Sequence, residues 1–140
     1  MVQSIKRLGG MADYVMPGES EGKVLCGSDV PAKIGDFYLQ NGAKTVIVKT
    51  GSDGAWAITK DQKLHVPAYV PKKIVDTVGA GDGFAAGVIS AVLEGLPLEK
   101  AILRGNAIGV IQIMNVSDNE GLPTREELSR FMAENQPKIY

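Results

Sequence analysis

Cysteine and histidine are almost absent from this 140-residue chain: Cys26 and His65 stand alone. A single cysteine excludes an internal disulfide and suits a reducing compartment, and one histidine with one cysteine makes no zinc set. An excess of one charge is lacking too, because 15 basic and 16 acidic side chains give a formal net charge of −1 with no basic stripe or like-charged block. Neither a nucleic acid nor a membrane surface is the expected partner. Long apolar runs are also missing. Residues 1–10 mix Lys6 and Arg7 among apolar side chains without a signal-peptide core, and the richest apolar stretch, 98–114, is broken by Arg104, Asn106 and Gln112. The expectation is a cytoplasmic chain, long enough to bury a core, that handles a small molecule.

What the chain does have is glycine placed with purpose. In Asp76-Thr77-Val78-Gly79-Ala80-Gly81-Asp82-Gly83-Phe84 a tight glycine turn runs straight into a long apolar segment. Residues without a Cβ let successive N–H groups point into one concavity, and a helix starting there adds unpaired donors and the positive end of its dipole. Such a turn favours an anion. Asp82 sits in it as a fixed negative charge, which has two readings: a helix cap, since Asp is a favoured N-cap, or a base that takes the proton from whatever attacks a phosphate. A dinucleotide fingerprint is excluded because Phe84 stands where a third glycine is needed. Gly18-Glu19-Ser20-Glu21-Gly22-Lys23-Val24 is not a Walker A loop either, being one residue short and ending in Val.

The remaining pattern alternates strands and helices. Residues 12–16 read as a strand entering a small helix over 19–25, and Ser28 or Asp29 is the expected cap of a helix with Pro31 in its first turn and Ile34, Phe37 and Tyr38 inside. Asn41-Gly42 stops it. The β-branched run 45–48 reads as an interior strand of a parallel sheet, and 55–59 with 64–66 as a hairpin. Apolar rows Phe84, Val88, Val92 and Ala85, Ile89, Leu93 mark a buried helix, 98–114 a second one, and Thr124-Arg125-Glu126-Glu127 is a capping box opening a third. No repeat or low-complexity linker interrupts this. The order indicates a layered α/β domain with ligands at the carboxyl ends of the strands.

The Asp76–Phe84 string resembles the C-terminal signature of the ribokinase-like (PfkB) carbohydrate kinases. That resemblance implies the ribokinase-like layered α/β fold with a mainly parallel sheet, of which residues 12–131 are the C-terminal portion, the N-terminal lid and sugar-binding portion being absent. It implies ATP and Mg2+ as cofactors, Asp82 as the base, and the Gly79-Ala80-Gly81 amides as the holder of the transferring phosphate. Thr50, Gly51, Ser52 and Gly54, in the glycine turn after the 45–48 strand, match the family's nucleotide loop, and Asn106 matches an asparagine near the adenine. On composition alone that turn is an ordinary connection and Asn106 a buried amide bonded to a neighbouring loop. Glu21 falls at the acidic position of a metal-arranging motif in which Gly18 replaces the usual asparagine; the plain reading is a first-turn acid. Asp76 and the Val78 carbonyl match a monovalent-cation site, so K+ is implied, with further carbonyls from the loop after Met114; alternatively Asp76 only stiffens its turn.

Pro17-Gly18-Glu19-Ser20-Glu21, the segment Arg104-Gly105-Asn106-Ala107-Ile108-Gly109, and Asp118-Asn119-Glu120-Gly121-Leu122-Pro123-Thr124-Arg125-Glu126-Glu127-Leu128 resemble the 2-keto-3-deoxygluconate kinases within the family. The implied activity is ATP-dependent phosphorylation of a sugar or sugar-acid hydroxyl by a longer parent enzyme. Two alternatives stay open: a nucleotide-binding or interaction domain without turnover, and a kinase for another sugar such as ribose or fructose. Arg104 is either phosphate-facing or simply a solvated or salt-bridged face, while His65 and Trp56 read as strand residues without chemistry and Cys26 as a packed thiol. Cut from a larger sheet, the chain is expected to self-associate through its N-terminal side or to be only marginally stable, and to be inactive alone; self-association of this chain or a homo-oligomeric parent is the expected assembly.

Overall fold

The computed structural model describes residues 1–116 and 121–139. It divides into two compact units, Met1–His65 and Val66–Tyr140.

The first unit is a sheet carrying helices. Its elements are α1 (Val2–Met11), β1 (Tyr14–Val15), α2 (Glu19–Cys26), α3 (Pro31–Gln40), β2 (Thr45–Lys49), a short 3-10 turn (Gly51–Asp53), β3 (Ala55–Ile58) and β4 (Lys63–Val66), at whose end the second unit begins. Strand order is β1-β2-β3-β4. Central position explains the sequence of β2: Val46, Ile47 and Val48 are all fully buried, as an unbroken β-branched run requires. β1 pairs with β2 in parallel, but β2 and β3 are antiparallel, with Val48 opposite Trp56 and Lys49 opposite Ala55. The sheet is therefore mixed. A parallel neighbour needs a crossover connection, and only the short glycine turn joins β2 to β3. The core gathers Leu25, Ile34, Tyr38, Ala43, Val46, Val48 and Ile58. α3 is capped by Val30, with neither Ser28 nor Asp29 as its cap; Ser28 Oγ instead accepts the Val30 N–H at 3.1 Å, and Pro31 fills the first helical position as expected. Asn41 and Gly42, the latter at φ 114°, end the helix.

The second unit is helical: α4 (Ala80–Leu93), α5 (Leu98–Ile113) and α6 (Arg125–Glu134). α4 and α5 approach through glycine. A Cβ on Gly87 would lie 2.8 Å from the Gly105 Cα, and one on Gly105 would lie 2.9 Å from the Phe84 carbonyl oxygen. Gly83 faces Ile108 and Gly109 faces the Ala80 carbonyl, so glycines at i and i+4 on both helices form one seam. Tyr69, Ala107 and Val110 make a second core with Leu128, Phe131 and Met132 of α6. The capping box of α6 forms as expected: Glu127 N–H donates to Thr124 Oγ1 at 3.2 Å and Thr124 N–H to Glu127 Oε2 at 2.7 Å. That second contact holds the Glu127 carboxyl below its ordinary value. Among the described residues no helix is long and apolar enough to cross a membrane.

Candidate active site

The second unit carries the anion turn. Asp76 Oδ1 accepts the Val78 N–H at 3.0 Å, and the N–H groups of Val75 and Asp76 both donate to the Ile113 carbonyl, at 2.8 and 3.3 Å. The turn thus rests on the last residue of α5. Gly79, at φ 79°, is the N-cap of α4, a left-handed conformation that glycine adopts without strain. Gly83 N–H closes the first helical bond on the Gly79 carbonyl at 2.8 Å, and Ala80 N–H reaches the Thr77 carbonyl at 3.4 Å. Between them, the Gly81 and Asp82 N–H groups make no hydrogen bond among the described residues, as expected of first-turn donors. Asp82 lies in that turn with its side chain exposed, and α4 has no side-chain cap. The capping reading of Asp82 is overturned, because the cap position belongs to Gly79, three residues earlier. What remains is a solvent-facing carboxylate on the rim of a donor-rich turn.

Asn106 projects from α5 and is buried. Its Nδ2 donates to the carbonyls of Val66 (3.1 Å) and Pro67 (3.0 Å), which ties the start of the second unit to the helix. Arg104 is salt-bridged: Nη2 meets Glu94 Oε2 at 2.9 Å and Nη1 meets Ser90 Oγ at 3.3 Å, while Arg125 takes the other Glu94 oxygen at 3.0 Å. One carboxylate therefore joins α4, α5 and α6. The Arg104 hydrogen bond, with the charges of both arginines, holds the Glu94 carboxyl below its ordinary value.

The first unit carries the nucleotide-loop residues and Glu21. Thr50 N–H and Thr50 Oγ1 both donate to the Gly54 carbonyl, at 2.9 and 3.0 Å, and inside that ring Asp53 N–H bonds Thr50 and Gly54 N–H bonds Gly51. Gly51 (φ 58°) and Gly54 (φ 105°) make the closure possible. A Cβ on Gly51 would meet nothing within 4 Å, so the loop is open on that side. Lys49 N–H donates to the Pro17 carbonyl at 2.8 Å, and Gly18 bridges to Lys49. The segment opening α2 therefore lies beside the start of the loop, at the carboxyl ends of β1 and β2. Glu21, exposed, accepts the Gly18 N–H at 2.6 Å through Oε2, the contact of a first-turn acid. Cys26 is a packed thiol that donates to the Gly22 carbonyl.

Among the described residues no three His, Cys, Asp or Glu side chains cluster as a metal site. Single carboxylates and backbone carbonyls are what each unit offers a cation. The residues Asp118, Asn119 and Glu120 lie outside the described residues. His65 is a strand residue of β4 as read; its Nε2 lies 2.9 Å from the Asp53 carbonyl and its ring lies against Trp56.

The model of the pfkB family of carbohydrate kinases matches residues 1–125. The chain belongs to that family. It is 46% identical to the 2-dehydro-3-deoxygluconokinase of Bacillus subtilis over 95% of its own length and 41% of that protein's. Thus it spans about two fifths of the curated relative. Among solved structures, a PfkB protein from Polaromonas sp. JS666 is 40% identical with a TM-score of 0.78, over 92% of this chain and 40% of that one. A structure from E. coli described as a ribokinase II, in complex with ATP and Mg2+, reaches a TM-score of 0.86 at 28% identity, over 94% of this chain and 42% of that one. The fold is ribokinase-like α/β.

Proposed function

We propose that this chain is the nucleotide-binding and catalytic-base portion of a longer ATP-dependent sugar-acid kinase acting on 2-keto-3-deoxygluconate. The observation that carries this reading is Asp82: an exposed carboxylate in the first turn of α4, beside amide donors, with the cap position already filled by Gly79. Bound ATP with Mg2+ supplies an electrophilic γ-phosphoryl group. Asp82 would take the proton of the acceptor hydroxyl as its oxygen bonds the γ-phosphorus in line, the bond from that phosphorus to the bridging oxygen breaks, and ADP leaves. The Gly79, Ala80, Gly81 and Asp82 backbone at the head of α4 receives the charge on the transferring group, where the helix dipole adds its positive end. Thr50, Gly51, Ser52 and Gly54 take the rest of the nucleotide on the open side of Gly51, and Asn106 orders the chain at Val66 and Pro67 on the adenine side.

Glu21 is the carboxylate we assign to Mg2+. Asp76 and the Val78 carbonyl fit a hard monovalent cation, K+, since one carboxylate with neighbouring carbonyls is the donor chemistry such an ion takes. The acceptor preference rests on 46% identity to the Bacillus subtilis enzyme. A cytoplasmic location agrees with the small anionic substrates. The chain by itself is proposed to lack turnover and to self-associate, the longer enzyme being a homo-oligomer, with no nucleic-acid or membrane partner.

The test is ADP release by the longer kinase to which we assign this chain, with 2-keto-3-deoxygluconate, ribose and fructose compared at saturating Mg-ATP. The sugar acid should give the highest kcat/KM. Preference for ribose or fructose would move the acceptor, and binding of ATP without turnover of any sugar would leave a nucleotide-binding domain.

A further inference from the structure

His65 is the single histidine of the chain and lies on β4, twelve residues beyond Asp53. Hairpin geometry brings it back to the glycine loop. Its Nε2 is 2.9 Å from the Asp53 carbonyl oxygen, and its ring centroid is 4.9 Å from that of Trp56 with the planes tilted by 39°. Trp56 is itself held in register opposite Val48, one strand position before Lys49 and the loop. A carbonyl oxygen only accepts, so Nε2 carries the hydrogen in this contact. The bonds at Thr50, Gly51, Asp53 and Gly54 close the loop on itself, whereas the His65 contact joins it to the next strand pair.

We propose that His65 is a positioning residue: packed at a tilt against Trp56, it donates Nε2–H to the Asp53 carbonyl and locks the loop from Thr50 to Gly54 in the closed shape that a nucleotide meets. The locking is a property of the loop itself; its bearing on the nucleotide rests on the function proposed above. A loop of this kind contains two glycines at positive φ, which leaves the unlocked chain many other conformations. A donor from a neighbouring strand removes them before the ligand arrives, so that less ordering remains for binding.

Three measurements on the whole chain test this. As the only histidine, His65 gives one set of imidazole nitrogen resonances, and in the neutral ring Nε2 should be the protonated nitrogen; a ring protonated on Nδ1 alone overturns the proposal. Amide exchange at Thr50 and Gly54 should rise roughly three- to tenfold in His65→Phe, which keeps an aromatic ring and lacks the donor. His65→Gln, which restores an N–H donor, should bring exchange back toward wild type while the β2 amides stay unchanged in both variants. Unchanged loop exchange in His65→Phe, or a His65→Gln variant as loose as His65→Phe, overturns it. Calorimetry with Mg-ATP then separates the two claims. A Kd weakened by a similar factor in His65→Phe, and recovered in His65→Gln, supports both. A loosened loop in a chain that binds no Mg-ATP supports the locking and removes the nucleotide reading instead.

Discussion

Two glycine turns of this chain, one in each unit, are built by opposite means. The loop from Thr50 to Gly54 in the first unit satisfies itself: its hydrogen bonds run from Thr50 to Gly54 and back, and it reaches outward at Asp53 to His65. The turn from Asp76 to Asp82 in the second unit is borrowed from its surroundings. Its backbone hangs on the Ile113 carbonyl, and its helix is pressed onto α5 along a seam of glycines. A self-closed loop can be altered locally, whereas a turn at the head of a packed helix inherits every displacement of that helix. The loop offers an open side at Gly51, and the turn offers the Gly81 and Asp82 amides.

The sharpest way to break this comparison is Gly81→Val, which puts a side chain where a phosphate oxygen should meet backbone N–H. Mg-ATP affinity should fall by roughly a hundredfold or more, the worth of one or two hydrogen bonds to a charged group, while the fold survives. Calorimetry on the folded variant checks it. Gly105→Val attacks the seam, since its Cβ would stand 2.8 Å from Val88 Cγ2 and 2.9 Å from the Phe84 carbonyl oxygen. A stability loss of about 2–3 kcal/mol is expected from overpacking of this kind. Hydrogen exchange should rise in the first turn of α4 and stay unchanged from Thr50 to Gly54.

Gly54→Ala is the converse. At φ 105° and ψ −128° an alanine is strained by about 1–3 kcal/mol, and exchange should rise in the loop with the α4 turn unaffected. If either variant loosened both turns equally, the distinction between them would be lost.

The smallest effect concerns Glu94, whose carboxyl is held below its ordinary value by Arg104 and Arg125. A depressed native pKa means that the unfolded chain takes up the proton first as pH falls. The contact therefore stabilises fully above the ordinary carboxylate range and loses its effect as pH drops through the lowered native value. Melting temperatures of wild type and Glu94→Gln should differ at neutral pH and converge in acid.

Much of this was legible because its signals are local. The glycine turn before Phe84 and the Thr124–Glu127 box each sit within a few residues and formed as read, whereas the α4 rows held only in part: Phe84 and Val88 are buried, but Ile89 and Leu93 are exposed, so the helix is not buried all round. The i, i+4 glycines 83/87 and 105/109 were also there to be read as a helix–helix seam. Helix α1 was missed although Val2, Ile5 and Leu8 recur at helical spacing, because no side chain caps its start to mark it. The place of Asp82 relative to the cap was a matter of three residues, decided by the left-handed backbone of Gly79. His65 carried no local mark at all. The hairpin of 55–59 and 64–66 was read, but its register, which decides that His65 reaches the Asp53 carbonyl, was not.

The central claim is that Asp82 acts on a proton and does not cap a helix, and Asp82→Asn in the longer kinase tests it most directly. Asparagine keeps the size of the side chain and one acceptor oxygen but cannot act as the base. Single-turnover transfer from Mg-ATP, measured beside nucleotide affinity and melting temperature, should slow by roughly 10²–10⁴, with affinity within several-fold and stability nearly unchanged. Near-normal transfer, or a loss of activity that merely follows a loss of stability, would contradict it.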